Sequence, residues 1–454
     1  MKFEYNSIIM LLKFKINYII MELIFNNFNP WWRVQNVPTS LVGKPREVLD
    51  PLKKSLSLKQ MTLITGLRRV GKTTLIFQLI DWLIREQNIS PYNILYHSFD
   101  EARLYLENIV NYYQTTVLKQ DLLQVDQIYI FLDEIQKLPG WSEQVKILYD
   151  MHPNVKITLS GSANLIMKAG SRESLAGRFF EYEINPLDFT EYLIFRNVEI
   201  DYSREAVFKQ TIAIEFNQFL KTGGFIEALS FDDIQLVRYF KDSILERVTF
   251  RDIPEVFSIS VPDLLLRLLN ILAQRPGLYL DYKNLANDLK FDQRTINNYF
   301  DYLEYSFLIQ KLYNFSPNLL TSERKLKRAY LANTGFTFSL ASAMIFPKIV
   351  EQFWVNFLRA KYFYRSPQKD EVDMVLANNK ITMPVEIKMR ENISKKTAAP
   401  LLKFLHKFDQ RRGLIISLQD ETEISHDNKF IQVFPYWKYW SILDWLEREG
   451  IIRV

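Results

Sequence analysis

The sequence predicts an α/β chain of several folded units, on three observations. A glycine-containing turn, Gly66 to Thr74, lies between a short apolar run and a helical pattern. A continuous apolar run, Gln127 to Leu132, stops at Asp133-Glu134. Further along come a pair of short helical patterns and then strand patterns carrying Asp373, Glu386 and Lys388. Continuous apolar runs suit strands buried on both faces of a parallel sheet. At 454 residues, the chain has room for about two to four domains of roughly 150 residues each.

Composition narrows the classes. Hydrophobic residues make up 48%, charged 24% and aromatic 14%, which excludes wholesale disorder. The absence of cysteine excludes a disulfide scaffold, a cysteine-ligated metal and a cysteine nucleophile. The four histidines, at 97, 152, 406 and 426, are too scattered to suggest a histidine-rich metal site. Lys+Arg 57 against Asp+Glu 52 leaves a net charge of +5. Acidic residues outnumber basic ones over 61–270 and the reverse holds on either side. That distribution favours nucleic-acid contact by the C-terminal half over contact by the whole chain.

No apolar run reaches the roughly 18 residues of a membrane span, so no transmembrane helix is expected. Ile8 to Ile20 comes closest, but Lys13 and Lys15 interrupt it and no small-residue cleavage site follows. Residues 1–20 are a leader of doubtful status: an extension ahead of an alternative start at Met21, or a membrane-surface helix. The default address is cytoplasmic.

The first unit, 21–195, is a P-loop nucleotide-binding domain. Met61–Thr65 reads as a strand, and Leu75 to Ile84 as a helix. Between them, Gly66-Leu67-Arg68-Arg69-Val70-Gly71-Lys72-Thr73-Thr74 is GxxxxGK[ST] in the context that motif requires. Glycines let backbone N–H groups wrap phosphates, and the helix N-terminus favours negative charge. Lys72 would reach the β- and γ-phosphates of ATP, and the Thr73 hydroxyl would ligate Mg²⁺. At the end of the second run, Asp133 would complete the Mg²⁺ shell and Glu134 would polarise the attacking water.

Two more strands fit this sheet, Asn93–His97 and Lys156–Leu159. After the latter, Ser160 and Ser162 are both candidates to sense the γ-phosphate or position water, or are plain turn residues. Arg172 and Arg178 follow. Arg178 is the better candidate for an arginine finger on a neighbouring subunit's ATP, which would require a homo-oligomer. A structural salt bridge is the competing reading.

The strings TGLRRVGKTTL, FLDEIQKLPGW, TLSGSANLI and LAGRFFEYEINPLDFTEYL resemble the prokaryotic AAA-type ATPases that carry a C-terminal domain of unknown function. KTGGFIEAL, ERVTFRDI and KRAYLANTGF continue the likeness, which runs from about Met21 to about Ser417. The resemblance implies an ATP-binding core of the AAA+ kind. It names no substrate. The family carries Asp where this chain has Asn333, which removes a charge there.

A helical connector, 196–260, leads to a winged-helix candidate, 261–340. Leu264–Ala273 is an apolar helix, followed by Tyr282–Leu289 and Asp292–Leu303, two short helices with a tight connection. Leu308–Phe315 and Lys327–Leu331 read as a hairpin wing. Arg324, Lys325, Lys327 and Arg328 form a basic cluster suited to phosphates, and Arg294, Thr295, Asn297 and Asn298 would face a groove. Such units contact DNA or only other proteins.

The last unit, 341–454, is α/β. Glu351 lies in a helix from Val350 to Ala360. Glu371–Leu376 and Pro384–Lys388 are strands, with Gly413–Ser417 a later one. Glu386 and Lys388 project from one strand face, and Asp373 sits on the neighbouring strand. Carboxylates and a lysine so placed can hold Mg²⁺ and activate water for phosphodiester attack. The order Glu351, Asp373, Glu386, Lys388 resembles the PD-(D/E)xK core of restriction-endonuclease-like folds, with Val372 in place of the proline. Glu351, Asp373 and Glu386 would then be metal ligands and Lys388 would not. The aromatic tail, Phe434 to Leu446, packs on the domain or contacts a partner.

The functional expectation is a Mg²⁺-dependent ATPase whose nucleotide state controls a DNA-contacting, nuclease-like C-terminal half. The alternative is an ATP-driven switch whose C-terminal half binds a partner without cleavage.

Overall fold

The computed structural model describes residues 21–100, 104–162, 175–343, 345–378 and 381–452. The leader 1–20 and Arg172 lie outside these residues. Contacts divide the chain into two units, Met1–Asn185 and Pro186–Val454.

The first unit is built on a five-stranded sheet. Its strands are β1 (Met61–Gly66), β2 (Ile94–Ser98), β3 (Ile128–Asp133), β4 (Val155–Ser160) and β5 (Phe179–Ile184), in the order β2-β3-β4-β1-β5. Every pairing is parallel. β1, β2 and β4 bury every residue, as strands covered on both faces must. Four of these strands lie where the apolar runs put them. β5 adds a strand the apolar runs do not mark: it is an edge strand with Phe180 and Glu181 exposed, and its string carries no continuous apolar run.

Helix α1 (Lys72–Arg85) buries Leu75, Ile76, Leu79, Ile80 and Leu83, which recur at helical spacing. Each such side chain contributes about 1.5–3 kcal/mol on burial, and together they fix the first turn of α1 at the sheet. Helix α2 (Trp141–Met151) buries Trp141, Val145 and Leu148 at the same spacing. Ahead of β1, Asn29 closes the outer edge of β2: its Nδ2 donates to Tyr96 O at 3.0 Å and its Oδ1 accepts from Tyr96 N at 2.7 Å. Trp31 and Trp32 donate their indole N–H groups to Ile94 O. An open edge is thereby satisfied.

The second unit holds a nine-stranded mixed sheet. Its strands are β6 (Leu278–Tyr279), β7 (Ile309–Asn314), β8 (Lys327–Leu331), β9 (Tyr362–Arg365), β10 (Glu371–Ala377), β11 (Thr382–Lys388), β12 (Arg412–Ser417), β13 (Thr422–His426) and β14 (Lys429–Pro435). The order is β13-β14-β12-β11-β10-β9-β7-β8-β6. Hairpin β7–β8 joins the later strands through a parallel pairing of β7 with β9, Tyr313 opposite Tyr362. The strands expected as a wing and those expected in the last unit therefore run in one sheet.

The helices of this unit include α3 (Lys209–Thr222), α4 (Pro262–Gln274), α5 (Tyr282–Leu289), α6 (Gln293–Tyr305), α7 (Leu319–Arg324), α8 (Thr334–Leu340), α9 (Phe346–Phe357), α10 (Ala399–Lys407) and α11 (Tyr439–Arg448). Residues of α3, α9 and α11 form one core with Met374, Val385 and Leu414. Residues of α10 form a second core with Val375, Ile415 and Val433. The aromatic tail belongs to the first, with Tyr439 and Trp445 buried. Glu205 accepts from the backbone N–H of Trp440 and Ser441 at 2.9 and 3.3 Å, satisfying donors in the first turn of α11.

Candidate functional site

β1 ends in Gly66, whose φ is 147°. A Cβ there would stand 2.3 Å from Ile184 O, so only glycine lets the chain turn off the sheet beside β5. Gly71, at φ 92°, completes the turn into α1. Leu67 and Val70 anchor the loop by burial, and Arg69 is exposed at φ 65°. The Lys72 ammonium, 6% exposed, bends back over the loop and donates to Gly66 O at 3.1 Å and Leu67 O at 2.8 Å. Thr74, one residue past Thr73, has its methyl 3.5 Å from where a Cβ on Gly43 would stand.

Donors converge on one carboxylate, that of Asp133 at the tip of β3. Thr73 Oγ1 donates to its Oδ2 at 2.6 Å, and the Tyr96 hydroxyl donates to the same oxygen at 3.1 Å. Ser160 Oγ, on β4 between β3 and β1, donates to Oδ1, which also accepts the Glu134 N–H at 3.0 Å. Asp133 is 2% exposed, so these bonds offset the cost of burying its charge. Glu134 turns at φ 53°, and its Oε2 accepts from Gln136 Nε2 at 2.6 Å.

The structure thus brings together Gly66, Gly71, Lys72, Thr73, Asp133, Glu134 and Ser160. It adds two residues that sequence reasoning missed. Tyr96 lies on the neighbouring strand, on the same strand face as Ser98, which pairs with Asp133. Arg46 donates to Val70 O at 3.2 Å and to Asn185 O at 2.9 Å, tying the loop to the end of the unit. No local string marks either residue.

Arg178 is not brought to this cluster. Its carbonyl accepts from Met61 N, at the start of β1, whereas the loop leaves the other end, where Gly66 pairs with Ile184. These ends lie five residue steps apart along the strand, about 17 Å. Its guanidinium forms a two-bond pair with Asp150 of α2, at 3.1 and 3.2 Å. Within this chain Arg178 therefore stands in a salt bridge with Asp150, away from its own phosphate loop.

The Thr73 hydroxyl and Asp133 carboxylate form a hard oxygen donor set of the kind Mg²⁺ takes, together with phosphate oxygens and water. The residues present fit that ion.

The second predicted site is built differently. Pairing of β10 with β11 runs to Met374 opposite Val385. At the next pair, side chains replace the ladder: Asp373 N donates to Glu386 Oε2 at 3.2 Å, and Ile387 N donates to Asp373 Oδ2 at 2.9 Å. A register shift between Val372 and Val375 on the β9 side accompanies this. Lys388 pairs with Glu386 Oε1. Glu351 of α9 accepts from Arg328 Nη2 at 2.9 Å and from the Tyr330 hydroxyl at 2.7 Å on Oε1, and pairs with Lys348 at 2.6 Å on Oε2.

Burial raises the Asp373 carboxyl to about 6, with Glu351 adding to the rise. Burial and Asp373 push Glu386 up to about 8. Burial would raise Glu351 too, but Arg328 and Lys348 outweigh it and hold that carboxyl below its ordinary value. Among the described residues, no group of three or more His, Asp or Glu side chains is arranged to hold a metal ion. Glu351, Asp373 and Glu386 do gather here, but with a guanidinium between the first two, so the donor set does not fit the metal expected from the sequence.

Of the expected basic cluster, Arg328 is 5% exposed and faces this centre rather than solvent. Lys327 pairs with Glu323 at 3.4 Å. On α6, Arg294 is exposed, while Thr295 donates its backbone N–H and hydroxyl to the N-cap carboxylate of Asp292.

Residues 58–193 match the family model described as an AAA domain. Over these residues, which include the P-loop, the chain is similar to AAA domains. Residues 214–344 and 343–439 match two further families, each described as a domain of unknown function. An uncharacterized protein of Methanocaldococcus jannaschii is 29% identical over 421 residues, 88% of this chain and 92% of its own length. A second from that organism is 26% identical over 420 residues, 85% of each. Among solved structures, the Walker-type ATPase of Pyrococcus abyssi is 17% identical with a TM-score of 0.38, covering 67% of this chain and 97% of its own. The ORC1 protein of Aeropyrum pernix, solved in complex with DNA, is 14% identical with a TM-score of 0.32, covering 72% and 97%. Among the described residues, no helix is long and apolar enough to cross a membrane.

Proposed function

We propose that this chain binds ATP with Mg²⁺ at the P-loop and hydrolyses it. The observation that carries this is the convergence of Thr73, Tyr96 and Ser160 on Asp133 beside the Lys72 loop. In this reading, Gly66 to Thr74 wrap the phosphates, and Lys72 leaves the loop carbonyls to meet the β- and γ-phosphates. Thr73 and Asp133 hold Mg²⁺, which neutralises charge on the phosphate oxygens when bound. Glu134 orients the attacking water, and Ser160 keeps Asp133 in place. Glu134→Gln tests the assignment: it should retain ATP binding and lower turnover about 10²–10⁴-fold. Unchanged turnover would remove Glu134 from the mechanism.

The nucleotide state is proposed to control the C-terminal half, residues 186–454. For that half the sequence supports two readings: DNA contact with nuclease chemistry, or partner binding without cleavage. The Arg328–Glu351 pair favours the second, because it spends a carboxylate the nuclease needs for metal. Incubating the protein with several DNA forms and Mg²⁺ or Mn²⁺ separates them. Cleavage lost in Asp373→Ala and Lys388→Ala supports a nuclease. No cleavage alongside intact ATPase activity supports the switch.

A further inference from the structure

Arg328 stands on β8, and its side chain crosses to α9 and β10. Nη2 lies 2.9 Å from Glu351 Oε1 and Nη1 lies 3.9 Å from Asp373 Oδ1. Nε donates to Gly277 O at 3.1 Å. The guanidinium carbon also sits 5.5, 5.5 and 5.6 Å from the ring centroids of Tyr279, Tyr330 and Phe363. Such a cation is held on several sides, by carboxylate, carbonyl and aromatic ring.

The carboxylate oxygens around it are already engaged. Glu351 Oε1 takes Arg328 and Tyr330, and Oε2 takes Lys348. Asp373 Oδ2 takes Ile387 N, leaving Oδ1 facing the guanidinium. Glu386 takes Asp373 N on one oxygen and Lys388 on the other. Three carboxylates thus face three cations: Arg328, Lys348 and Lys388. A divalent ion entering this centre would add uncompensated positive charge at a buried place, which is costly. It would also have to displace the guanidinium from the oxygens it needs.

We propose that Arg328 is the resident cation of the Glu351–Asp373–Glu386 centre and closes it to divalent metal. The centre then works as an internal ion lock that fastens hairpin β7–β8 to α9 and β10. Breaking a buried pair by removing one partner leaves the other charge uncompensated. Truncating Arg328 therefore both loosens the lock and leaves carboxylates free for a metal.

The test uses full-length, nucleotide-free protein titrated with Mn²⁺, with free Mn²⁺ followed by electron paramagnetic resonance. This readout is independent of the ATPase reading, because the Lys72 loop is intact in every sample. Wild type and Asp373→Asn should give the same isotherm. Arg328→Ala should gain one Mn²⁺ site, at least about tenfold tighter than any background binding, and lose it when Asp373→Asn is added. Arg328→Gln, which keeps a polar side chain, serves if the alanine variant does not fold. A wild-type Mn²⁺ site that disappears in Asp373→Asn would overturn the proposal. So would folded Arg328 variants that gain no site.

Discussion

The Thr73 hydroxyl donates a 2.6 Å hydrogen bond to the Asp133 carboxylate, joining the first turn of α1 to the tip of β3. The bond links residues 60 positions apart, and Tyr96 completes it by donating to the same oxygen at 3.1 Å. Tyr96 touches no phosphate-loop residue through this bond, so its effect passes through Asp133.

Tyr96→Phe should therefore leave the strand packing intact and weaken only the hold on Asp133. The Mg²⁺ concentration for half-maximal ATP hydrolysis should rise by about tenfold, the usual effect of removing a partner behind a metal ligand. A Mg²⁺ titration of steady-state hydrolysis reads this. An unchanged midpoint would show that Thr73 and Ser160 hold Asp133 without help.

Asn333 caps α8 and also reaches α3. Its Oδ1 accepts Gly335 N at 2.8 Å, and its Nδ2 donates to Gly223 O at 2.8 Å. Aspartate can keep the first bond but not the second, and it sets a carboxylate against a carbonyl oxygen. Asn333→Asp should destabilise the chain at neutral pH by about 1–3 kcal/mol. The loss should shrink as pH falls and the new carboxyl protonates. Thermal melts of both proteins across pH check this, and a variant as stable as wild type at pH about 7 would contradict the dual role.

Glu386 supplies a pH signature. Its carboxyl moves from 4.5 in the unfolded reference to about 8 in the fold, through burial and the neighbouring Asp373, against the pull of Lys388. Between those values the folded chain binds more proton at this site than the unfolded chain, so stability falls as pH rises. Asp373, raised to about 6, acts with the same sign over a lower range. Glu351, lowered by Arg328 and Lys348 against burial, acts with the opposite sign below its ordinary value of 4.5. Above about pH 6, Glu386 is the one of the three still titrating. The Tm of Glu386→Gln relative to wild type should become steadily more positive from about pH 6 to 8. A constant difference would place Glu386 at an ordinary carboxylate value.

The parts of the site that were legible in sequence are those that chemistry confines to adjacent positions. A phosphate loop must follow a strand and open a helix, so Gly66 to Thr74 declare themselves in one string. Asp133 is legible because a buried strand ends at it. Tyr96 and Arg46 are not, since the order β2-β3-β4 and the return of the chain to Asn185 decide their neighbours. Arg328 misled for a related reason. Beside Arg324, Lys325 and Lys327 it reads as one of a basic surface group, but strand alternation sends Arg328 and Tyr330 to one face together. That face meets α9 and the carboxylate of Glu351. The metal expected at the C-terminal carboxylates rests on three acids whose spacing in the sequence says nothing of Arg328 and Lys348, the cations that face Glu351 in the fold. Pairing of β7 with β9 likewise depends on two short contacts far apart in sequence.

Lys72 is the residue on which the proposed nucleotide site depends most. Equilibrium binding of ATP with Mg²⁺, measured on wild type and Lys72→Ala, tests it most directly. Loss of a charge-assisted phosphate contact of about 1.5–3 kcal/mol should weaken binding about 10- to 100-fold in the variant. Equal affinity in the two proteins would contradict the account.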